Sequence, residues 1–233
     1  MVRSVFDPAF EDLPGLIPVF PLAGVLLLPR GKLPLQIFER RYLAMTRDAL
    51  LAPTRLIGMI QPTGLAEGPN GPELFTVGTA GRVINFSETA DGRYHIVLDG
   101  LIRFRVRDEV DLKDGYRRVM PNFLPYKDDL EIYGSVRDPG HSRIDRDRIL
   151  KGLERYFGAK HVEANWDAIR QLDDRALVTT LAMSCPFEPT DKQALLESIE
   201  IATCGHTLAA LLEMGAGSAE AGFGDSPPPP TRH

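Results

Sequence analysis

Two stretches decide the fold: Ile17-Pro18-Val19-Phe20-Pro21-Leu22, and after a short apolar run, Leu33-Pro34-Leu35-Gln36-Ile37-Phe38-Glu39-Arg40-Arg41-Tyr42. Prolines at 18, 21, 29 and 34 exclude a helix here and restrict where the segment can pair in a sheet. The chain must therefore run extended, with apolar residues on either side of each proline, until Glu39 opens a helix. That helix carries Tyr42, Met45 and Ala49 on one stripe. It stops at Ala52, because Pro53 disfavours the helical conformation before it.

Working outward, 233 residues with 43% hydrophobic content can bury one large core or two modest ones. The net charge of −5 is unevenly spread: residues 1–125 are nearly balanced, whereas residues 126–233 carry the acidic excess. An acidic second half argues against general nucleic-acid binding, which needs a basic surface. Cys185 and Cys204 are too few for a disulfide framework, and no Cys-x-x-Cys occurs. The N-terminus lacks a signal-like apolar run, and Val25-Leu26-Leu27-Leu28 is far too short to span a bilayer. These features predict a cytoplasmic protein with no membrane partner.

The rest of the first half reads as an antiparallel meander. Phe75-Thr76-Val77 and Val83-Ile84-Asn85-Phe86 flank Gly78-Thr79-Ala80-Gly81, whose glycines suggest a bulge or a close backbone approach. Asp91-Gly92 and Asp99-Gly100 each predict a tight turn between β-rich runs. In the last run Ile102, Phe104 and Val106 alternate with Arg103, Arg105 and Arg107, which places the three arginines on one outer face. Tyr116 to Met120 adds a strand before Pro121.

The second half changes period. A polar linker over 126–141 leads into a helix with Ile149, Leu153 and Tyr156 at helical spacing. A short helix follows Asn165, and Asp173 or Asp174 caps another that ends before Pro186. Thr190 to Gln193 reads as a capping box opening a helix that buries Leu195, Ile199, Ala202, Leu208, Leu211 and Leu212, with Gly215 as its C-cap. Residues 215–233 end in Pro227-Pro228-Pro229-Pro230, have little to bury and are expected to be disordered. The expected organisation is an arm over 1–14, a β-rich domain over 15–125, the linker, and a helical bundle over 142–214.

The Ile-Pro-Val-Phe-Pro-Leu strand, Leu74 to Thr79, the Asp91-Gly92 turn and Leu98 to Arg103 resemble the N-terminal, substrate-binding domain of Lon proteases. Leu172-Asp173-Asp174 and Asp191 to Glu197 extend the resemblance into the helical part, so that it covers about 15–214. It implies an α+β fold, an antiparallel PUA-like pseudo-barrel followed by a small C-terminal helical bundle. The ATPase module and the serine-lysine peptidase of full-length Lon proteases have no counterpart in these residues, so the resemblance is to a stand-alone Lon-domain protein.

Catalytic motifs fail on spacing. Gly24 and Gly31-Lys32 are separated by six residues where a phosphate loop needs four, and Leu33 stands where Ser or Thr should be. Ser184 has no sequence-local base. Cys185, Cys204 and His206 lack a fourth ligand and the Cys-pair spacing of a zinc site. No enzyme activity, cofactor or metal is expected.

Binding remains. The resemblance implies recognition of unfolded or tagged protein segments, with a protease or chaperone as associated partner, and an adaptor or regulator role in protein quality control. Such a surface needs exposed apolar side chains beside a few charges. Leu27, Arg30, Leu33, Phe38, Glu39, Arg40 and Arg41 supply both in one place. Not all the leucines around Pro29-Arg30-Gly31 can face the core from a short turn, so at least one should be exposed. The alternatives are a nucleic-acid-binding PUA-like protein, using the arginine face, and a small-molecule sensor. The acidic balance counts against the first of these, and the lack of a polar cluster in the sequence against the second.

Overall fold

β1 (Ile17–Pro21) accommodates its prolines by changing partners along its length. Ile17 to Val19 pair antiparallel with Val119 to Arg117, while Val19 to Pro21 pair parallel with Gly58 to Ile60. Because each neighbour is engaged over only three residues, the missing N–H groups interrupt neither ladder at length. These elements belong to a computed structural model that describes residues 8–131 and 144–221.

β2 (Lys32–Ile37) leads into α1 (Arg40–Leu51), with Glu39 at the N-cap and Ala52 at the C-cap. Tyr42, Met45, Thr46 and Ala49 form its buried stripe, in agreement with the spacing in the sequence. β3 (Leu56–Ile60) is buried throughout. β4 (Pro62–Gly68) and β5 (Gly71–Leu74) make a separate hairpin. β6 (Val77–Glu88), β7 (Tyr94–Lys113) and β8 (Tyr116–Asn122) complete the main sheet. Its order is β2-β7-β6-β3-β1-β8, and β7 also pairs with β8. The first part of β7 carries β6 and its last part carries β8, so the sheet curls back on itself without becoming a regular closed barrel. All pairings are antiparallel except β1 with β3. The core beneath this sheet is built from Phe20, Leu27, Ile37, Tyr42, Met45, Ile57, Ile96, Leu98 and their neighbours.

The turn expected at Asp99-Gly100 is absent, and β7 runs straight through it. Gly100 is needed for another reason: a Cβ there would collide with the Leu28 carbonyl oxygen. Gly78 meets the same constraint, its Cβ falling 2.6 Å from the Met59 carbonyl oxygen, and the β6–β7 register shifts between Ala80 and Gly81. Close approach and a bulge are what these glycines serve. Asp91-Gly92 does turn, with Gly92 at φ 79°.

After a 3₁₀ turn at Leu124–Tyr126 and the short α2 (Asp128–Glu131) come α3 (Arg146–Ala159), α4 (Trp166–Gln171), α5 (Asp174–Ser184), α6 (Pro189–Glu197) and α7 (Ile201–Ala221). Short polar side chains cap α3, α4 and α5. Asp145 accepts from the Arg148 N–H, Asn165 from Ala168 and Asp173 from Ala176. The chain divides into two units, 8–131 with 182–199, and 144–181 with 200–221. In the second unit α3 packs on α7, and Arg148 forms a two-pronged pair with Glu213.

Three readings of the helical region are corrected. The single helix expected to run on from Thr190 is two, α6 and α7, and Ile199 between them is exposed rather than buried. Thr190 does not open a capping box: Pro189 begins α6, Glu188 is its N-cap, and the Gln193 amide bonds Val77 O instead. Gly215 is not a C-cap. It lies inside α7, where a Cβ would stand 2.5 Å from the Tyr156 ring, so its role is close helix packing. The Pro-rich end of the tail and most of the linker lie outside the described residues.

Candidate functional site

At the junction of β2 and α1, Phe38, Glu39, Arg40 and Arg41 lie at the surface. Ile37 is the last residue of β2 to point into the core, and Phe38, one position on, is turned outward with 63% of its surface exposed. Glu39, Arg40 and Arg41 follow, all exposed. The Glu39 backbone carbonyl accepts from the Tyr42 and Leu43 N–H groups, each at 2.9 Å, which starts the helix. Its carboxylate pairs with Arg41 at 2.8 Å, and that guanidinium lies 4.6 Å from the Tyr42 ring centroid. Tyr42 stacks on Phe20 with centroids 4.2 Å apart, and its burial raises the phenol above the ordinary range. The exposed group is thus mounted on a rigid aromatic base. Leu33 is half-buried beside this core, and Arg30 is half-buried in the preceding turn.

Leu27 does not belong to this surface. It is 2% exposed and sits in the core, and Leu26 and Leu28 are buried with it. The turn manages this by folding tightly against β7. Arg30 adopts φ 69°, its N–H donates to the Gly100 carbonyl at 2.6 Å, and Gly100 N–H donates to Gly31 O at 2.8 Å. With no side chain on Gly100, the loop can lie directly on the strand, and all three leucines find apolar surroundings. With Leu26, Leu27 and Leu28 buried and Leu33 half-buried, the expectation of an exposed leucine around Pro29-Arg30-Gly31 is overturned.

The arginine face is corrected as well. Arg105 and Arg107 are exposed, but Arg103 is buried. Its Nε and Nη2 donate to Asp129 Oδ2 and Oδ1 at 2.9 and 2.7 Å. Nη1 donates to the carbonyls of Leu196 and Ser198, and Nη2 also to that of Ile199, so the guanidinium caps the C-terminal end of α6. Strand alternation could not reveal this, because the burying partners come from about 26 and 93–96 residues away.

A second polar group holds α6 at its other end. Gln61 is buried; its Oε1 accepts from the Gly24 N–H, and its Nε2 donates to Pro189 O at 3.0 Å. Lys192, also buried, donates to Gly24 O at 2.8 Å, and burial lowers its pKa. Gln61 did not stand out in the sequence, and Gly24 and Lys192 drew notice there only in a failed phosphate loop and a capping-box stretch. Cys185 and Cys204 are both buried, and among the described residues no cluster of His, Cys, Asp and Glu could hold a metal. No helix of the described residues is long and apolar enough to cross a membrane.

The model of the ATP-dependent protease La (LON) substrate-binding domain matches residues 16–212. The Lon protease of Anaeromyxobacter dehalogenans is 34% identical over 101 residues, covering 43% of this chain and 12% of that protein. Lon protease 2 of Thermus thermophilus is 26% identical over 86% of this chain and 24% of its own length. The chain thus spans about an eighth to a quarter of these relatives. Among solved structures, the Lon N-terminal domain protein from Xanthomonas campestris superposes with a TM-score of 0.57 at 22% identity, over 84% of this chain and 97% of that one. The N-terminal domain of the Mycobacterium avium complex Lon protease gives the same TM-score and the same coverage of both chains at 14% identity. With nearly all of its described length accounted for, the chain belongs to the Lon substrate-binding domain family.

Proposed function

We propose that this chain is a non-catalytic module that binds unfolded or tagged polypeptide segments at the β2–α1 junction, and that it serves a protease or chaperone in the cytoplasm as an adaptor or regulator. The supporting observation is Phe38: a large aromatic side chain, 63% exposed, beside Arg40 and the Glu39–Arg41 pair on a packed aromatic base. An apolar anchor ringed by charges suits varied partners, because the anchor supplies desolvation energy while the rim tolerates different sequences. Arg30 and Leu33 extend the surface at lower exposure.

Titration of reduced, carboxymethylated α-lactalbumin tests this reading. The Phe38→Ser chain should bind roughly tenfold more weakly, the loss typical of a central anchor, and Arg40→Glu should weaken binding less. Both should melt within about 2 °C of the wild type, because surface substitutions seldom disturb the fold. Unchanged binding by Phe38→Ser would place recognition elsewhere.

A further inference from the structure

β2 ends the main sheet, and among the described residues no strand pairs with its outer side. The direction of its backbone groups follows from hydrogen bonds at both ends of the neighbouring ladders. Gly100 turns both its backbone groups toward this segment: its N–H donates to Gly31 O and its C=O accepts from the Arg30 N–H. Backbone groups along a strand alternate in direction, so those of 98, 96 and 94 also face β2, and Leu33–Leu98, Leu35–Ile96 and Ile37–Tyr94 are the bonded pairs of this ladder. On the far side of β7, Thr89 N–H donates to Arg93 O, so 93, 95 and 97 face β6 and 94, 96 and 98 face β2. The N–H and C=O groups of Lys32, Pro34 and Gln36 therefore point away from the sheet.

Pro34, which has no N–H, thus stands where that N–H would have met the open edge, and its ring costs the β7 ladder nothing. The edge offers three carbonyls and two donors. Two copies of β2 pairing about a two-fold axis would meet Pro34 twice and lose two bonds in any register, whereas a foreign strand meets it once and loses one. The edge therefore discriminates against self-pairing, the usual hazard of an open strand. It also runs directly into Phe38, with exposed Lys32 and Arg40 near its two ends.

We infer that the outer edge of β2 takes an extended segment of another polypeptide by strand addition, with apolar and acidic side chains on that segment, and that Pro34 keeps the edge from pairing with a second copy of this chain. This rests on the proposed recognition of unfolded segments and specifies how the backbone of such a segment is held.

Three variants, titrated with reduced, carboxymethylated α-lactalbumin and sized by analytical ultracentrifugation, test it. Gln36→Pro removes an outward donor without touching the β7 ladder, and should fold while binding roughly three- to tenfold more weakly, the value of about one hydrogen bond. Pro34→Val supplies the missing donor, and should bind more tightly by a similar factor and begin to dimerise. Phe38→Ser reports on the recognition surface alone. If Phe38→Ser weakens binding while the two β2 variants bind as the wild type does, recognition stands and strand addition is overturned. If Gln36→Pro fails to fold, its N–H belongs to the ladder, and the assignment of the edge is wrong. If the wild type does not bind the probe, the functional reading falls, and strand addition with it.

Discussion

Arg103 and Asp129 form a two-pronged ion pair, 2.9 and 2.7 Å between paired atoms, with less than a tenth of either side chain exposed. The Asp129 carboxylate also accepts the Arg103 backbone N–H at 3.0 Å, and the guanidinium lies 4.9 Å from the Tyr126 ring centroid. Three carbonyls at the end of α6 complete its donors. One side chain therefore joins β7, α2 and the exit of α6.

Removing one member of that pair should be costly. Arg103→Met leaves the Asp129 charge buried and three carbonyls without their donor, and should lower stability by about 3–5 kcal/mol in denaturant unfolding. Asp129→Asn should cost less, because its amide oxygen still accepts. Arg103→Lys should recover only part of the loss, since an ammonium cannot reproduce the forked geometry.

Gly100→Ala should destabilise the protein by about 1–3 kcal/mol, because the new Cβ meets the Leu28 carbonyl oxygen, a backbone atom that cannot rotate away. Gly92→Ala has open space around it and should cost only the strain of its positive φ, about 1 kcal/mol. Thermal unfolding of the two variants side by side checks the order.

Leu27→Ala should lower stability by about 2–5 kcal/mol, as truncation of a buried leucine does, and Leu27→Asp should prevent folding. Circular dichroism and denaturant titration report both. A Leu27→Asp chain that melts like the wild type would contradict its placement in the core.

Asp48 should set part of the acid sensitivity. Hydrogen bonds from Lys113, at 2.8 Å, and from the Tyr116 hydroxyl, at 2.5 Å, hold its carboxyl below the ordinary 3.8. A carboxyl with a lowered folded-state pKa stabilises fully above its unfolded value, and that contribution fades as pH falls through the folded value. The melting temperature of the wild type should therefore drop more steeply than that of Asp48→Asn below about pH 4. The difference should stay under about 1 kcal/mol, because the Lys113 pair is solvent-exposed.

Local patterns determined a large share of this protein. The prolines of 17–34 dictated extended chain, Pro53 ended α1, and the stripe Tyr42, Met45, Ala49 chose its buried face. Asp145, Asn165 and Asp173 capped the helices they precede. Each of these effects acts within about four residues, so the sequence carries it whole. Of the candidate surface, Phe38 to Arg41 are exposed because Ile37 and Tyr42 on either side take the buried positions, whereas Leu27 is buried.

Tertiary structure decided what depended on distant partners. Asp99-Gly100 has the composition of a turn, but the loop at Leu28 lies on Gly100, and the strand continues beneath it. Arg103 occupies an outward position in a simple alternation, yet Asp129 and the end of α6 enclose it. The leucines around Pro29-Arg30-Gly31 looked too many for one short turn, but Gly100 let that turn settle into the sheet, burying Leu26, Leu27 and Leu28 and half-burying Leu33. Burial is a property of what lies across the chain, and no local period records it.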